Sequence, residues 1–236
     1  VLKAPRSYFA GFALLIAAVI VFSLLLPACG GTTSSAPASS SAPASSAAAK
    51  RDTINLSINT NLQSVDPHGP RNLQDLYVRA QLYEPLYYRN ENTNTLEPRL
   101  AESYTVSADG ATYTFKLRQD VKFHNGDGMK ASDVVFSYKR AMGASGWSAY
   151  TAGITDVVAV DDYTVNVVMA KPSAAFIPLQ SQLMVASEKE ITAQGAEFGT
   201  KVTLAGTGPY FLTFLDNDVE WKMEAFPDYY RGEAPI

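Results

Sequence analysis

Two histidines, one cysteine and a few aromatic residues in loops are the side chains of this 236-residue sequence from which chemistry could be built. His68 stands in Ser64-Val65-Asp66-Pro67-His68, and His124 in Phe123-His124-Asn125-Gly126-Asp127-Gly128. Either is a candidate base for a hydrolase, which needs one within reach of its nucleophile. No GxSxG elbow or HExxH helix accompanies them, so no catalytic residue is assigned. Gly206-Thr207-Gly208-Pro209-Tyr210 lacks the Lys-Ser/Thr of a phosphate loop and reads as a turn feeding a strand. Trp147 and Tyr150 follow Gly143 and Gly146 in a poorly periodic stretch, where a ligand contact competes with an ordinary core role.

Composition narrows the classes further. Lys3, Arg6 and Lys50 are the charged residues of positions 1–50, which leaves 16 basic against 23 acidic side chains beyond them, a net −7 where the whole chain is at −4. Such a surface has no basic excess to neutralise a phosphate backbone, so nucleic acid is not an expected partner. One cysteine excludes an internal disulfide framework, and two histidines argue against a protein-built metal cage; no metal or cofactor is expected.

The first fifty residues read as an address and a tether. Lys3 and Arg6 precede nineteen uncharged residues, Tyr8 to Leu26, followed by Pro27, Ala28 and Cys29. That order is a secretory signal, and the small residue before a lone cysteine resembles the lipobox of bacterial lipoproteins. The resemblance implies cleavage after residue 28 and lipid on Cys29. Nineteen residues at about 1.5 Å each also approach the ~30 Å hydrocarbon core, so an uncleaved membrane helix competes. Both place residue 51 onward outside the cytoplasmic membrane. Residues 30–50, in which SAPASS occurs twice in succession, hold no large apolar side chain and read as a disordered Ser/Ala/Pro linker.

The body alternates elements. Ile54, Leu56 and Ile58 have the period of a strand. Leu73, Leu76, Tyr77, Ala80 and Tyr83 predict an amphipathic helix over 72–84, closed by Pro85. Tyr113, Phe115 and Leu117 predict a strand entered through the turn at 107–110, and Val134, Val135, Tyr138, Ala141 and Met142 a second helix. Hairpins are expected at 158–169 around Asp161-Asp162 and at 210–225 around Asp216-Asn217. Ser173 is expected to cap a helix through Leu183, kinked at Pro178. The class is α/β (mixed α+β) with largely antiparallel sheets.

Taken in order, SVDPH at 64–68, LAESYTVSADGATYTFKLRQDVKFHNGDGMKASDVVFSYKR at 100–140, VDDYTVNVVMAKPSAAF, GTGPYFL and AFPDYYRGEAPI form a series. It resembles the oligopeptide and dipeptide receptors among the solute-binding proteins of ABC importers. The resemblance implies a two-lobed periplasmic-binding-protein-like fold, with residues 51–236 as the first lobe, a subdomain inserted at about 89–185, and a second lobe expected beyond residue 236. It implies a non-enzymatic receptor that captures peptides and delivers them to an ABC permease, held to the membrane by lipid on Cys29. On the same pattern Arg71, Asn72 and Leu73 pair their backbone with an extended ligand, and Trp147, with Tyr150 nearby, contacts it. An extracellular hydrolase, or a surface signalling or adhesion protein that kept the receptor fold, are the rival readings.

Overall fold

A computed structural model describes residues 53–55 and 61–234. The expected signal, the expected lipidation at Cys29 and the expected linker lie outside the described residues, as do Leu56 and Ile58 of the expected first strand. The elements in order are α1 (Leu73–Leu82), β1 (Glu84–Pro85), β2 (Tyr87–Asn90), β3 (Thr95–Pro98), β4 (Ala101–Val106), β5 (Thr112–Leu117), α2 (Ala131–Gly143) and α3 (Ser148–Thr151). After them come β6 (Ile154–Asp161), β7 (Thr164–Met169), α4 (Phe176–Gln180), β8 (Met184–Val185), α5 (Glu188–Gln194), β9 (Tyr210–Asp216) and β10 (Glu220–Ala225).

The largest sheet has the order β4-β5-β7-β6, every pair antiparallel. Tyr113 faces Val167 and Phe115 faces Val165 across its centre, and their alternation turns Phe115, Val165 and Val167 into a dry face. The predicted 161–162 turn is there: Asp161 Oδ1 accepts from the Tyr163 N–H at 2.8 Å, an Asx turn that returns the chain into β7. Gly110, at φ +71°, closes the 107–110 turn with its N–H on the Ser107 carbonyl at 2.8 Å.

α2 covers this sheet with Val134, Tyr138 and Ala141, three and four residues apart. At its start Asp133 Oδ2 accepts from the Lys130 N–H at 3.0 Å, which ties the N-cap backbone to the first turn although the lysine side chain, a donor only, cannot cap it. α4 is shorter than expected. Beginning at Phe176, it carries Pro178 within its first turn, where the missing N–H has no helical partner to lose, and no interior kink results.

Two buried apolar clusters result. One runs from Leu86 to Val185 and holds the four-stranded sheet, α2 and Trp147. The other joins Leu62, Val65, Val78, Leu82 and Tyr83 to Ala186, Ile191, Phe198, Ala205 and Leu212, on either side of that stretch in sequence. The antiparallel hairpin β9–β10 lays Leu215, Trp221 and Met223 against the second cluster.

α1 corrects the sequence reading. Its expected apolar stripe faces outward at Leu73 (59% exposed) and Tyr77 (63%), while Asp75, Val78, Arg79 and Leu82 are buried. The reason is polar: Asp75 and Arg79 are fully occupied by the segment that precedes the helix.

Candidate functional site

Residues 64–71 form a loop that fastens on itself. The Asp66 N–H donates to Ser64 Oγ (3.1 Å), the His68 N–H to Asp66 Oδ1 (2.8 Å), and the Gly69 N–H to the Asp66 carbonyl (3.1 Å). Arg79 then holds both ends. It donates to the Ser64 carbonyl through Nε (3.1 Å) and Nη2 (2.9 Å), to the Pro70 carbonyl through Nη1 (2.8 Å), and pairs with Asp75 at 3.2 Å. Neither side chain of that pair is exposed, and Asp75 Oδ1 also accepts from the Gln63 N–H at 2.9 Å. A buried pair breaks even only when its remaining donors and acceptors are met. Here they are met by the loop, so the pair fixes the loop's shape.

α2 supplies the second anchor. Arg140 donates from Nη1 to Asp66 Oδ1 and from Nη2 to Asp66 Oδ2, both at 2.6 Å, a two-point fork. Burial alone would raise the Asp66 carboxyl, but the Arg140 bonds and charge bring it below its ordinary value. Arg140 Nη1 also lies 3.1 Å from His68 Nδ1. A guanidinium only donates, so Nδ1 is the bare nitrogen, and Nε2 carries the proton to the Met184 carbonyl at 2.9 Å. Burial first, and the Arg140 charge second, push His68 down to about 4, so the ring is neutral at pH 7.

Trp147 closes the third side. Its Nε1–H donates to the Gly69 carbonyl at 3.2 Å, and its ring meets His68 edge-on at 5.8 Å and Tyr150 at 5.7 Å. Only 1% of Trp147 is exposed, whereas Tyr150 is half-buried. Arg71 lies over both rings, 4.7 Å from Trp147 and 4.2 Å from Tyr150, and its Nη2 donates to the Tyr150 hydroxyl (3.1 Å) and Gln182 Oε1 (3.2 Å). Asn72 Nδ2 donates to Gln63 Oε1 at 2.5 Å and Asp75 Oδ2 at 3.2 Å, and Leu73 opens α1. The structure therefore brings Arg71, Trp147 and Tyr150 into one contact group, with Asn72 and Leu73 at its edge and Leu73 turned to solvent.

Asp66, Asp75, Arg79 and Arg140 were missed as site residues. An i,i+4 Asp–Arg pair was legible at 75 and 79, but its direction was not.

His124 is structural as well. Its Nε2 bonds the Gly208 carbonyl at 3.0 Å, its N–H bonds the Gly206 carbonyl at 2.9 Å, and burial pushes the ring down to about 4. Gly206 and Gly208 pass so close to the end of α1 that a Cβ on either would overlap the Leu82 or Gln81 carbonyl oxygen. Of the two candidate hydrolase bases, His68 thus has both ring nitrogens engaged, by a carbonyl and a guanidinium, while His124 bonds a carbonyl through Nε2 and keeps Nδ1 buried without a partner among the described residues. Among the described residues no group of three His, Cys, Asp or Glu side chains is placed to hold a metal ion, and no helix is long and apolar enough to cross a membrane.

Comparison with known proteins decides the family. Residues 95–236 match the model of the bacterial extracellular solute-binding proteins, family 5, middle region. The chain belongs to that family. A di/tripeptide-binding protein 2 from Pseudomonas aeruginosa is 33% identical over 180 residues, which are 66% of this chain and 34% of that protein. The glutathione-binding protein GsiB of Escherichia coli K12 is 30% identical over 193 residues, 79% of this chain and 37% of GsiB. The substrate-binding domain of an oligopeptide ABC transporter from Bacillus anthracis superposes with a TM-score of 0.72 at 27% identity, covering 78% of this chain and 39% of that one. The family 5 fold is therefore shared, and the chain spans about a third of the length of the curated relatives it matches.

Proposed function

We propose that this family 5 chain is the first-lobe part of an extracytoplasmic receptor, lipid-anchored through Cys29, that captures short peptides and delivers them to an ABC permease. Within it, residues of about 89–185 form the inserted subdomain. The reading is supported by the cluster that runs from Leu86 to Val185 apart from the second cluster, which gathers residues from both sides of it. A second lobe closes over the ligand, a hinge motion that also reports occupancy to the transporter.

The observation that carries the peptide reading is at Arg71. In a loop fixed by Arg79, Arg140 and Trp147, the Arg71 N–H and C=O bond no group among the described residues. A residue that offers both groups is what one position of an extended peptide needs in order to exchange two main-chain hydrogen bonds. Such pairing gives affinity with little side-chain selectivity. Trp147 acts from behind, through the Gly69 carbonyl and the Arg71 side chain, while Tyr150 and Leu73 offer exposed surface to the ligand.

The test is calorimetry with the native full-length protein. Trialanine is expected to bind and to be recovered intact, as mass spectrometry would show. Peptides N-methylated at successive positions are expected to lose about tenfold in affinity at the residue that pairs with Arg71, the scale of one lost hydrogen bond. Cleavage of the peptide, or equal affinity for every N-methylated form, contradicts the reading.

A further inference from the structure

Three arginines meet at the 64–71 loop, and two of them hold carboxylates: Arg79 pairs with Asp75 at 3.2 Å and Arg140 with Asp66 at 2.6 Å. Arg71 is different. Its partners are neutral oxygens, the Tyr150 hydroxyl and the Gln182 amide, and both reach the same nitrogen, Nη2. Nη1 is shielded from water and donates to nothing among the described residues. A buried guanidinium donor without an acceptor is uncommon, because arginine carries five N–H groups and no means of shedding its charge.

The setting holds that charge ready rather than neutralising it. The planar group lies over the Trp147 and Tyr150 rings, whose faces attract a cation but leave its N–H edge without an acceptor. Gln182 is half-buried, so the acceptor it offers is not sealed inside the core. The body of the chain is acidic, yet no carboxylate has been placed here. A guanidinium fork matches a carboxylate in two parallel bonds, each stronger than the neutral contacts it would replace.

We infer that the Arg71 side chain is an anion subsite, taking a carboxylate of the ligand in place of the Gln182 amide oxygen. The ligand carboxylate is either the peptide's C-terminus or an acidic side chain. The same residue then supplies the unpaired N–H and C=O and the charge, so the register of the ligand and the recognition of its carboxylate are fixed together. That the carboxylate belongs to a peptide rests on the proposed function; the chemistry of the subsite does not.

Two pairs of probes test this by calorimetry on the full-length protein: trialanine against its C-terminal amide, and Ala-Glu-Ala against Ala-Gln-Ala. In the wild type the acid of at least one pair is expected to bind about tenfold tighter, or about 1.4 kcal/mol. Arg71→Gln is expected to abolish that preference, so that the acid and neutral members of each pair bind with equal affinity. Arg71→Lys keeps the charge without the fork, retains part of the preference, and serves if the glutamine variant does not fold. A purely structural Arg71 predicts equal losses for both members of each pair, and that outcome overturns the inference, as does the absence of any preference in the wild type.

A second readout separates the subsite from the peptide reading. In a Trp221→Phe background Trp147 is the remaining tryptophan, since the chain has two. N-acetylalanine at about 10 mM, enough for a millimolar site, is expected to change its emission by drawing Arg71 from the ring, and to do nothing once Arg71→Gln is added. That response without binding of any peptide retires the peptide reading and keeps the subsite. An unresponsive Trp147 in the Trp221→Phe protein refutes the subsite.

Discussion

Arg140→Met separates the two jobs that this arginine does at the loop. Asp66 and Arg140 share two 2.6 Å bonds, with the Asp66 side chain 13% and the Arg140 side chain 28% exposed. Breaking a buried pair costs about 3–5 kcal/mol, and the residual exposure of Arg140 puts the expected loss at about 3 kcal/mol near pH 7. The second job is electrostatic. In the wild type, burial and then the Arg140 charge hold His68 at about 4 against an ordinary 6.5, while Asp66 pulls it upward. With the folded value below the unfolded one, the unfolded chain binds more protons between those limits, and stability falls as pH drops from 6.5 toward 4. At about 1.36 kcal/mol per pH unit that loss reaches roughly 3 kcal/mol. Without Arg140, burial still opposes the proton but Asp66 now favours it, so His68 should rise from about 4 and the acid-side loss should shrink. The assay is urea unfolding at intervals from pH 4.5 to 8, with the His68 ring titrated by NMR. The variant should be about 3 kcal/mol weaker at pH 7.5, with a gap that narrows on acidification. A gap that stays constant with pH, together with an unmoved His68, would show that burial alone sets this histidine and would refute the electrostatic part.

Three further substitutions probe the frame around the site. Glu84 is buried, accepts from the Tyr229 hydroxyl at 2.8 Å, and burial raises it to about 7. Because this acid is raised above its unfolded value, stability should fall as pH climbs from about 4.5 to 7, opposite to His68, and Glu84→Gln should remove a slope worth up to roughly 3 kcal/mol in the same urea series. Gly206→Ala drives a Cβ into the Leu82 carbonyl oxygen, a backbone atom that cannot swing aside. It should cost about 3 kcal/mol by thermal or urea unfolding, and a loss under about 1 kcal/mol would mean that the strand entry is pliable. Trp147→Phe keeps most of the apolar contact but removes the N–H on the Gly69 carbonyl. A loss of about 1–3 kcal/mol is expected, with faster amide exchange in residues 68–71; unchanged exchange there would detach Trp147 from the loop.

Much of the architecture was legible because it follows local rules. The alternation at Tyr113, Phe115 and Leu117, the Asx turn at Asp161 and the 3–4 spacing of Val134, Tyr138 and Ala141 each express a period that needs no distant partner. β4 was not predicted, since only Ala101 of its six residues is buried and it carries no alternation to detect. α1 failed for the opposite reason. Its apolar stripe was real, but Asp75 and Arg79 had carbonyls and an N–H to satisfy across the loop, and that claim outweighed burying Leu73 and Tyr77.

The sequence by itself determined the family, through an ordered series of motifs running from SVDPH to AFPDYY, and the mixed class, through two hydrophobic periods. It also marked Arg71, Trp147 and Tyr150, three residues that proved to touch one another. What only the tertiary structure decided is how they are used. Trp147 lies behind the loop at 1% exposure, Arg71 lies over it without a carboxylate, and Asp66, Arg79 and Arg140 hold the frame. Pairing of charges and satisfaction of carbonyls depend on groups as far apart as residues 66 and 140, and such distances are set by packing and not by spacing along the chain.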